Sequence, residues 1–239
     1  MIFEEIIQQL RSMADAKNVE GMARFGISSV GTLGVSMPKI RSVAKSLKKE
    51  LSEDIRHTMS VELWDSGIHE ARILSSLIDV PALLDKTEAE RRINEIDSWD
   101  VCDQFCSALL EKTEYAYEYA FELTERKEEF PKRVGFVLIA IISVHDKKAD
   151  DSVLEAFFPI ILRELDDDRN FVRKAVNWSL RQIGKRNAAL NKKALALAED
   201  ILKTESSKTA KWIARDAIRD MTSNITIEKF ARAERKKFK

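Results

Sequence analysis

Apolar side chains recur along most of the chain at spacings of three and four, the pattern of helices that bury one face. Such stretches cover residues 3–13 and 19–25, and a Gly-rich link, 26–36, follows. Met37-Pro38 opens the next helix with proline in its first turn, where the missing donor costs nothing; Ile40, Val43, Ala44 and Leu47 mark its inner face. Ser52 starts another, with Ile55, Met59, Leu63 and Trp64 inward, and Ser66-Gly67 ends it. Further helices are predicted at about 69–79, 87–96, 99–110, 114–126, 131–145, 152–165, 170–185, 190–203, 209–221 and 225–235. No stretch alternates with period two, so the pattern predicts an all-α fold.

Several of these helices share a polar residue early and a long apolar face after it. Taking Arg72, Asp103, Arg133, Arg173 and Arg215 as equivalent points, the spacings are 31, 30, 40 and 42 residues, the range of HEAT-type paired-helix repeats. The expectation is one α-solenoid domain over 1–239, a curved stack of HEAT-like helix pairs whose concave face receives Asp103, Arg133 and the Arg173 region. A plain helical bundle satisfies the same pattern.

Composition narrows the class. Seven glycines and four prolines in 239 residues disfavour a sheet protein with many tight turns. The start, Met1-Ile2-Phe3-Glu4-Glu5, is acidic where a secretory signal is basic, and the longest apolar run, 134–144, is too short to span a bilayer. A cytoplasmic, membrane-free protein with reduced thiols is expected. Net charge is zero, yet residues 170–239 hold 18 Lys and Arg against 7 Asp and Glu, an excess of +11 balanced by −11 in the rest. A basic block of that size suits a polyanionic partner, usually nucleic acid, or else a solvated lysine-rich surface.

Three stretches carry candidate chemistry. In Ser98-Trp99-Asp100-Val101-Cys102-Asp103-Gln104-Phe105-Cys106, Trp99 and Asp103 share one side of a helix, while Val101, Cys102, Phe105, Ala108 and Leu109 share the other. By geometry alone these are an edge indole and a solvated acid. In residues 170–186, Val172, Val176, Ser179, Leu180 and Ile183 form a buried arc; Lys174, Arg181 and Lys185 gather elsewhere with Trp178 at their border. An indole so placed can rest on a sugar or base while its neighbours hold phosphates, or it is simply covered by lysine stems. Pro131-Lys132-Arg133 begins a helix apolar on all sides, and cations at a helix N-terminus need partners to offset the macrodipole. Phosphates, Asp103 or another nearby acid could supply them. Cys102 and Cys106 lie on an apolar face with only His57, His69 and His145 in the chain to complete a metal site, so core cysteines, no metal and no cofactor are expected.

Taken together, Trp99-Asp100-Val101-Cys102-Asp103, Pro131-Lys132-Arg133 and Asn170-Phe171-Val172-Arg173-Lys174-Ala175-Val176-Asn177-Trp178-Ser179-Leu180-Arg181 resemble the HEAT-like alkylpurine DNA glycosylases of the AlkD type. Two upstream blocks, Leu33-Gly34-Val35-Ser36-Met37-Pro38-Lys39-Ile40-Arg41 and Leu63-Trp64-Asp65-Ser66-Gly67-Ile68-His69-Glu70, stand in family order, and the resemblance covers roughly 20–190. It implies a monofunctional glycosylase that cuts the N-glycosidic bond of cationic lesions such as 3-methyladenine and 7-methylguanine in duplex DNA while leaving the lesion in the duplex. By matching position, Asp103 would be the catalytic carboxylate, Trp99 and Trp178 the indoles flanking the lesion's sugar, and Arg133 a residue near the backbone. Lys132, Arg173, Lys174, Arg181, Lys185 and Phe25 are the further DNA-binding candidates; Phe25 stands where many members have tyrosine, keeping a ring without the hydroxyl. Some relatives with this fold bind DNA without base removal, which leaves a non-catalytic DNA-binding solenoid as the alternative. A monomer with no obligate protein partner is expected.

Overall fold

A computed structural model describes residues 3–237; of the acidic start, Met1 and Ile2 lie outside them. Among the described residues every regular element is helical, as the period predicts, and the chain divides into two compact units at Ala116/Tyr117. No helix among them is long and apolar enough to cross a membrane.

The first unit contains α1 (Phe3–Ser12), α2 (Ala16–Ala23), α3 (Met37–Glu50), α4 (Glu53–Asp65), α5 (His69–Ile78), α6 (Lys86–Glu95) and α7 (Trp99–Ala108), which ends in a 3-10 turn, Leu110–Lys112. Pro38 lies in the first turn of α3, and Ser52 is the residue before α4, whose Met59, Leu63 and Trp64 are buried as expected while Ile55, in the first turn, is exposed instead. At the centre is α5, packed against α3, α4 and α7 and buried on nearly every side. Its burial includes a charge. Glu70 is fully buried, and its carboxylate accepts the backbone N–H groups of Leu33 (2.8 Å), Gly34 (2.6 Å) and Val35 (3.2 Å). The Gly-rich link is therefore stitched to α5. Gly34 is required there: its φ is +79° and a Cβ would meet the Asp15 carbonyl oxygen at 2.2 Å.

The second unit takes up α8 (Ala116–Glu122) from its second residue, then a 3-10 turn, Leu123–Glu125, and continues through α9 (Glu129–His145), α10 (Asp151–Glu155), α11 (Phe158–Arg163), α12 (Asn170–Gly184), α13 (Ala188–Thr204), α14 (Lys208–Met221) and α15 (Asn224–Lys237). The all-apolar α9 is its core, buried along nearly its whole length against α12 and the 3-10 turn. A Cβ on Gly135 would stand 2.7 Å from the Thr124 amide nitrogen, so glycine allows that approach. α12 packs on α9, α13 and α14, and the Ser179 hydroxyl donates to the Phe136 carbonyl at 2.7 Å.

Among the boundaries that differ from the sequence pattern, two have a proline at them. The helix expected over 152–165 is broken into α10 and α11, because Pro159 has no N–H to continue the ladder and takes a first-turn position in α11 instead. α9 begins at Glu129, two residues before Pro131, which proline tolerates because first-turn amides have no intrahelical partner.

Candidate functional site

Trp99 is the first residue of α7 and Asp103 lies one turn on. Val101, Cys102, Phe105 and Cys106 are fully buried and root the helix, so both cysteines belong to the core. That anchoring leaves Trp99 and Asp103 half-buried on the other side. The Trp99 indole N–H donates to the Phe25 carbonyl at 3.1 Å, while the Phe25 ring is 70% exposed. One hydrogen bond thus brings together two of the residues singled out by sequence, from α7 and the loop after α2. Beside them opens a cleft of about 840 Å³ lined by Phe25, Met37, Ile40, His69, Trp99 and Gln104 among others.

The start of α7 is held by residues whose roles the motifs did not disclose. His69 Nε2 lies 2.8 Å from Asp100 Oδ2, and the Ser98 hydroxyl donates to Asp100 Oδ1 at 2.5 Å. Burial pulls the His69 pKa down, but the hydrogen bond and the charge of Asp100 outweigh it and hold the imidazole above 6.5. Burial likewise pushes Asp100 up, and His69 and Ser98 more than reverse it, holding the carboxyl below 3.8. The signal in the sequence was the block ending in His69-Glu70 together with Asp100 beside Trp99, but only the contact distinguishes tethering residues from surface ones.

In the second unit, both cations at the start of α9 have protein partners. Lys132 Nζ lies 2.5 Å from Glu164 and 3.4 Å from Asp167, and the buried Arg133 (5% exposed) donates to the Phe171 carbonyl at 2.7 Å. The expectation that partners would offset the helix dipole is met, for Lys132 by two acids that the sequence pattern did not single out. Asp167 is itself held below 3.8: burial raises it, and Arg169 and Lys132 bring it down further than that.

On α12, the arc Val172, Val176, Ser179, Leu180 and Ile183 is buried as predicted, and Trp178 is half-buried. Two of the three cations expected beside it turn to α14: Arg181 Nε and Lys185 Nζ each lie 2.7 Å from Asp220 Oδ2. Lys174 remains exposed and makes no ion pair with the described residues. Arg173 lies with its guanidinium 5.1 Å from the centre of the Trp212 ring and 3.3 Å from Asn170 Oδ1, and its buried Nε has no hydrogen-bond partner among the described residues. Trp212, 37% exposed, stands in none of the motif blocks. Among the described residues no three His, Cys, Asp or Glu side chains come together as a metal site.

A family model described as DNA alkylation repair enzyme matches residues 6–221, more of the chain than the five motif blocks cover. No curated protein matches the sequence. Among solved structures, the chain is similar to one from a new family of proteins related to the HEAT-like repeat DNA glycosylases with affinity for branched DNA structures. The two are 16% identical, the match covers 92% of this chain and 95% of that one, and the TM-score is 0.71. At that identity the likeness is one of fold, a HEAT-like repeat.

Proposed function

The chain belongs to the DNA alkylation repair enzyme family, and on that premise we propose that it is a monofunctional glycosylase hydrolysing the N-glycosidic bond of cationic alkylpurines, 3-methyladenine and 7-methylguanine, in duplex DNA without base flipping. The observation that carries this reading is the placement of Asp103 one turn after Trp99 on α7, both half-buried, with the indole fixed by the Phe25 carbonyl at 3.1 Å on a helix rooted by four buried side chains. A carboxylate and an aromatic face in one place are what a sugar acquiring positive charge requires.

In the reaction the C1′–N bond breaks, and its electron pair leaves with the base, which departs neutral because the alkylated purine began cationic. Water adds to C1′ and gives up a proton to solvent. Asp103 lowers the barrier by facing the positive charge that develops on the deoxyribose and by orienting the water. Trp99 contributes its electron-rich face, worth about 0.5 to 2 kcal/mol toward a cation. Trp178, on α12, is the second indole of this reading, and Lys174 and Arg173 lie on its helix to meet backbone phosphates. The protein works without a cofactor, as a cytoplasmic monomer.

The test is release of 7-methylguanine from methylated duplex DNA by wild type and by Asp103→Asn. Wild type releases base; the variant is at least about tenfold slower, a loss of about 1.4 kcal/mol or more, while duplex binding persists. No release by wild type defeats the glycosylase reading. A second reading, a non-catalytic binder of branched or distorted DNA, draws on the affinity for branched DNA stated for the family of the solved relative. It requires salt-sensitive binding with no base release and no effect of Asp103→Asn.

A further inference from the structure

Opposite the α12 end that carries Arg173, the second unit holds a cleft of about 620 Å³ whose wall includes Lys147, Lys185, Arg186 and Lys229. Lys185 follows Arg173 by twelve helical steps, about 18 Å at 1.5 Å per residue, so the cleft is distinct from the Arg173–Trp212 end of the helix.

The acids on the wall are Asp151 and Asp220, and both are already engaged. Asp220 bonds to Arg181 and Lys185 at 2.7 Å each, and Asp151 accepts from the Asn187 amide at 2.8 Å. Nearby Asp146 accepts from the Tyr117 hydroxyl at 2.6 Å and from the N–H groups of Lys148 and Ala149. The remaining cations turn to carbonyl oxygens: Lys229 to Lys185 at 2.6 Å, Arg186 to Ser143 at 3.4 Å and to Ala149 at 3.5 Å, and Lys147 to Val144. A carbonyl satisfies one donor and cancels no charge. Four cations thus converge on one concavity against Asp151, Asp146 and an Asp220 that also serves Arg181, and Lys229 registers the excess: burial, then Lys147, Lys185 and Arg186, hold its ammonium below the ordinary lysine value. Ser223, Ile225 and Thr226, where α15 begins, complete the wall and add the positive end of that helix.

We infer that this cleft is a phosphate-binding subsite, built to take the oxygens of one phosphate between Lys147, Arg186 and Lys229. The group bound is a backbone phosphodiester of nucleic acid or the phosphate of a small molecule; the chemistry of recognition is the same. The inference goes beyond the glycosylase reading and does not depend on base release.

The test compares the full chain, the double variant Lys147→Gln/Lys229→Gln and a control, Lys45→Gln/Lys49→Gln, that removes two exposed lysines of α3. Each protein is titrated with a short labelled unmodified duplex by anisotropy between about 50 and 200 mM salt, and its thermal midpoint is followed with and without inorganic pyrophosphate. If the subsite holds a nucleic-acid phosphate, the slope of log affinity against log salt becomes shallower by about 1 to 2 in the cleft variant and is unchanged in the control. If it holds a small phosphate, pyrophosphate raises the midpoint of wild type and control but not of the cleft variant, with the duplex slopes equal. Equal slopes and equal pyrophosphate shifts in all three proteins overturn the inference. Lys147→Gln alone, a change at an exposed side chain, serves if the double variant does not fold.

Discussion

The imidazole Nε2 of His69 stands 2.8 Å from Asp100 Oδ2, tying the first turn of α5 to the first turn of the helix that presents Trp99 and Asp103. Because both groups titrate away from their ordinary values, the tie has a pH window. His69 is raised above 6.5, so its contribution is full below that value and is lost as pH rises through the higher folded value. Asp100 is lowered below 3.8, so its contribution is present above 3.8 and is lost as pH falls through the lower folded value. His69→Gln should therefore cost about 1 to 3 kcal/mol near pH 5.5, with the deficit shrinking toward pH 8. Urea unfolding of both proteins at the two pH values measures it; a deficit that grows with pH contradicts the assignment.

Glu70 holds three consecutive amides of the loop 33–35 from a fully buried position. Glu70→Gln removes the charge and turns one acceptor into a donor facing N–H groups. A loss of about 2 to 3 kcal/mol is expected, seen as a lower urea midpoint with little change in the slope of the unfolding curve.

Arg92 and Asp79, both 0% exposed, form a buried pair at 3.0 Å with Ser60, Ser75, Glu88 and His57 around it, and the Arg92 guanidinium lies 5.3 Å from the Trp64 ring centre. Removing Asp79 leaves the buried Arg92 with Glu88 at 2.6 Å but with Nη1 deprived of its carboxylate, so Asp79→Ala should destabilise by about 3 kcal/mol. The double replacement Asp79→Leu/Arg92→Met should recover part of that loss, because no buried charge is then left alone. A double-mutant cycle by urea unfolding reads the coupling directly.

Lys174 and Arg181 looked alike as sequence candidates for phosphate contact, and the fold separates them. Lys174 is exposed, whereas Arg181 shares Asp220 with Lys185. Lys174→Gln should weaken duplex binding across sequences and reduce the salt slope by about 1 without changing stability. Arg181→Gln should leave the slope nearly intact and lower the thermal midpoint. Anisotropy and thermal unfolding of the two variants distinguish the cases; equal slopes for both would contradict the division.

Much of this was legible in the residues alone because the governing physics is local. A period of 3.6 assigns each helix its inner face, so the buried sides of α7 (Val101, Cys102, Phe105, Cys106) and α12 (Val172, Val176, Ser179, Leu180, Ile183) follow directly from spacing. Pro38 and Ser52 mark helix starts for equally local reasons, and Pro159 marks the break between α10 and α11, its missing donor outweighing the apolar run around it. The five motif blocks pointed to the family for the same reason, since they sit on these faces and turns.

What the sequence by itself determined is the all-helical character, the inner faces of helices such as α7 and α12, and the side of α7 on which Trp99 and Asp103 stand. Only the tertiary structure decided which charge meets which. Lys132 found Glu164 at a separation of 32 residues, Arg181 found Asp220 at 39, and Glu70 found the loop amides at 35 to 37. A charge tally treats all such cations as free to bind phosphate. Coulomb attraction and hydrogen bonding act over a few ångströms, so partners are chosen by which helices pack together, and that choice left Lys174 to solvent while Arg181 turned inward.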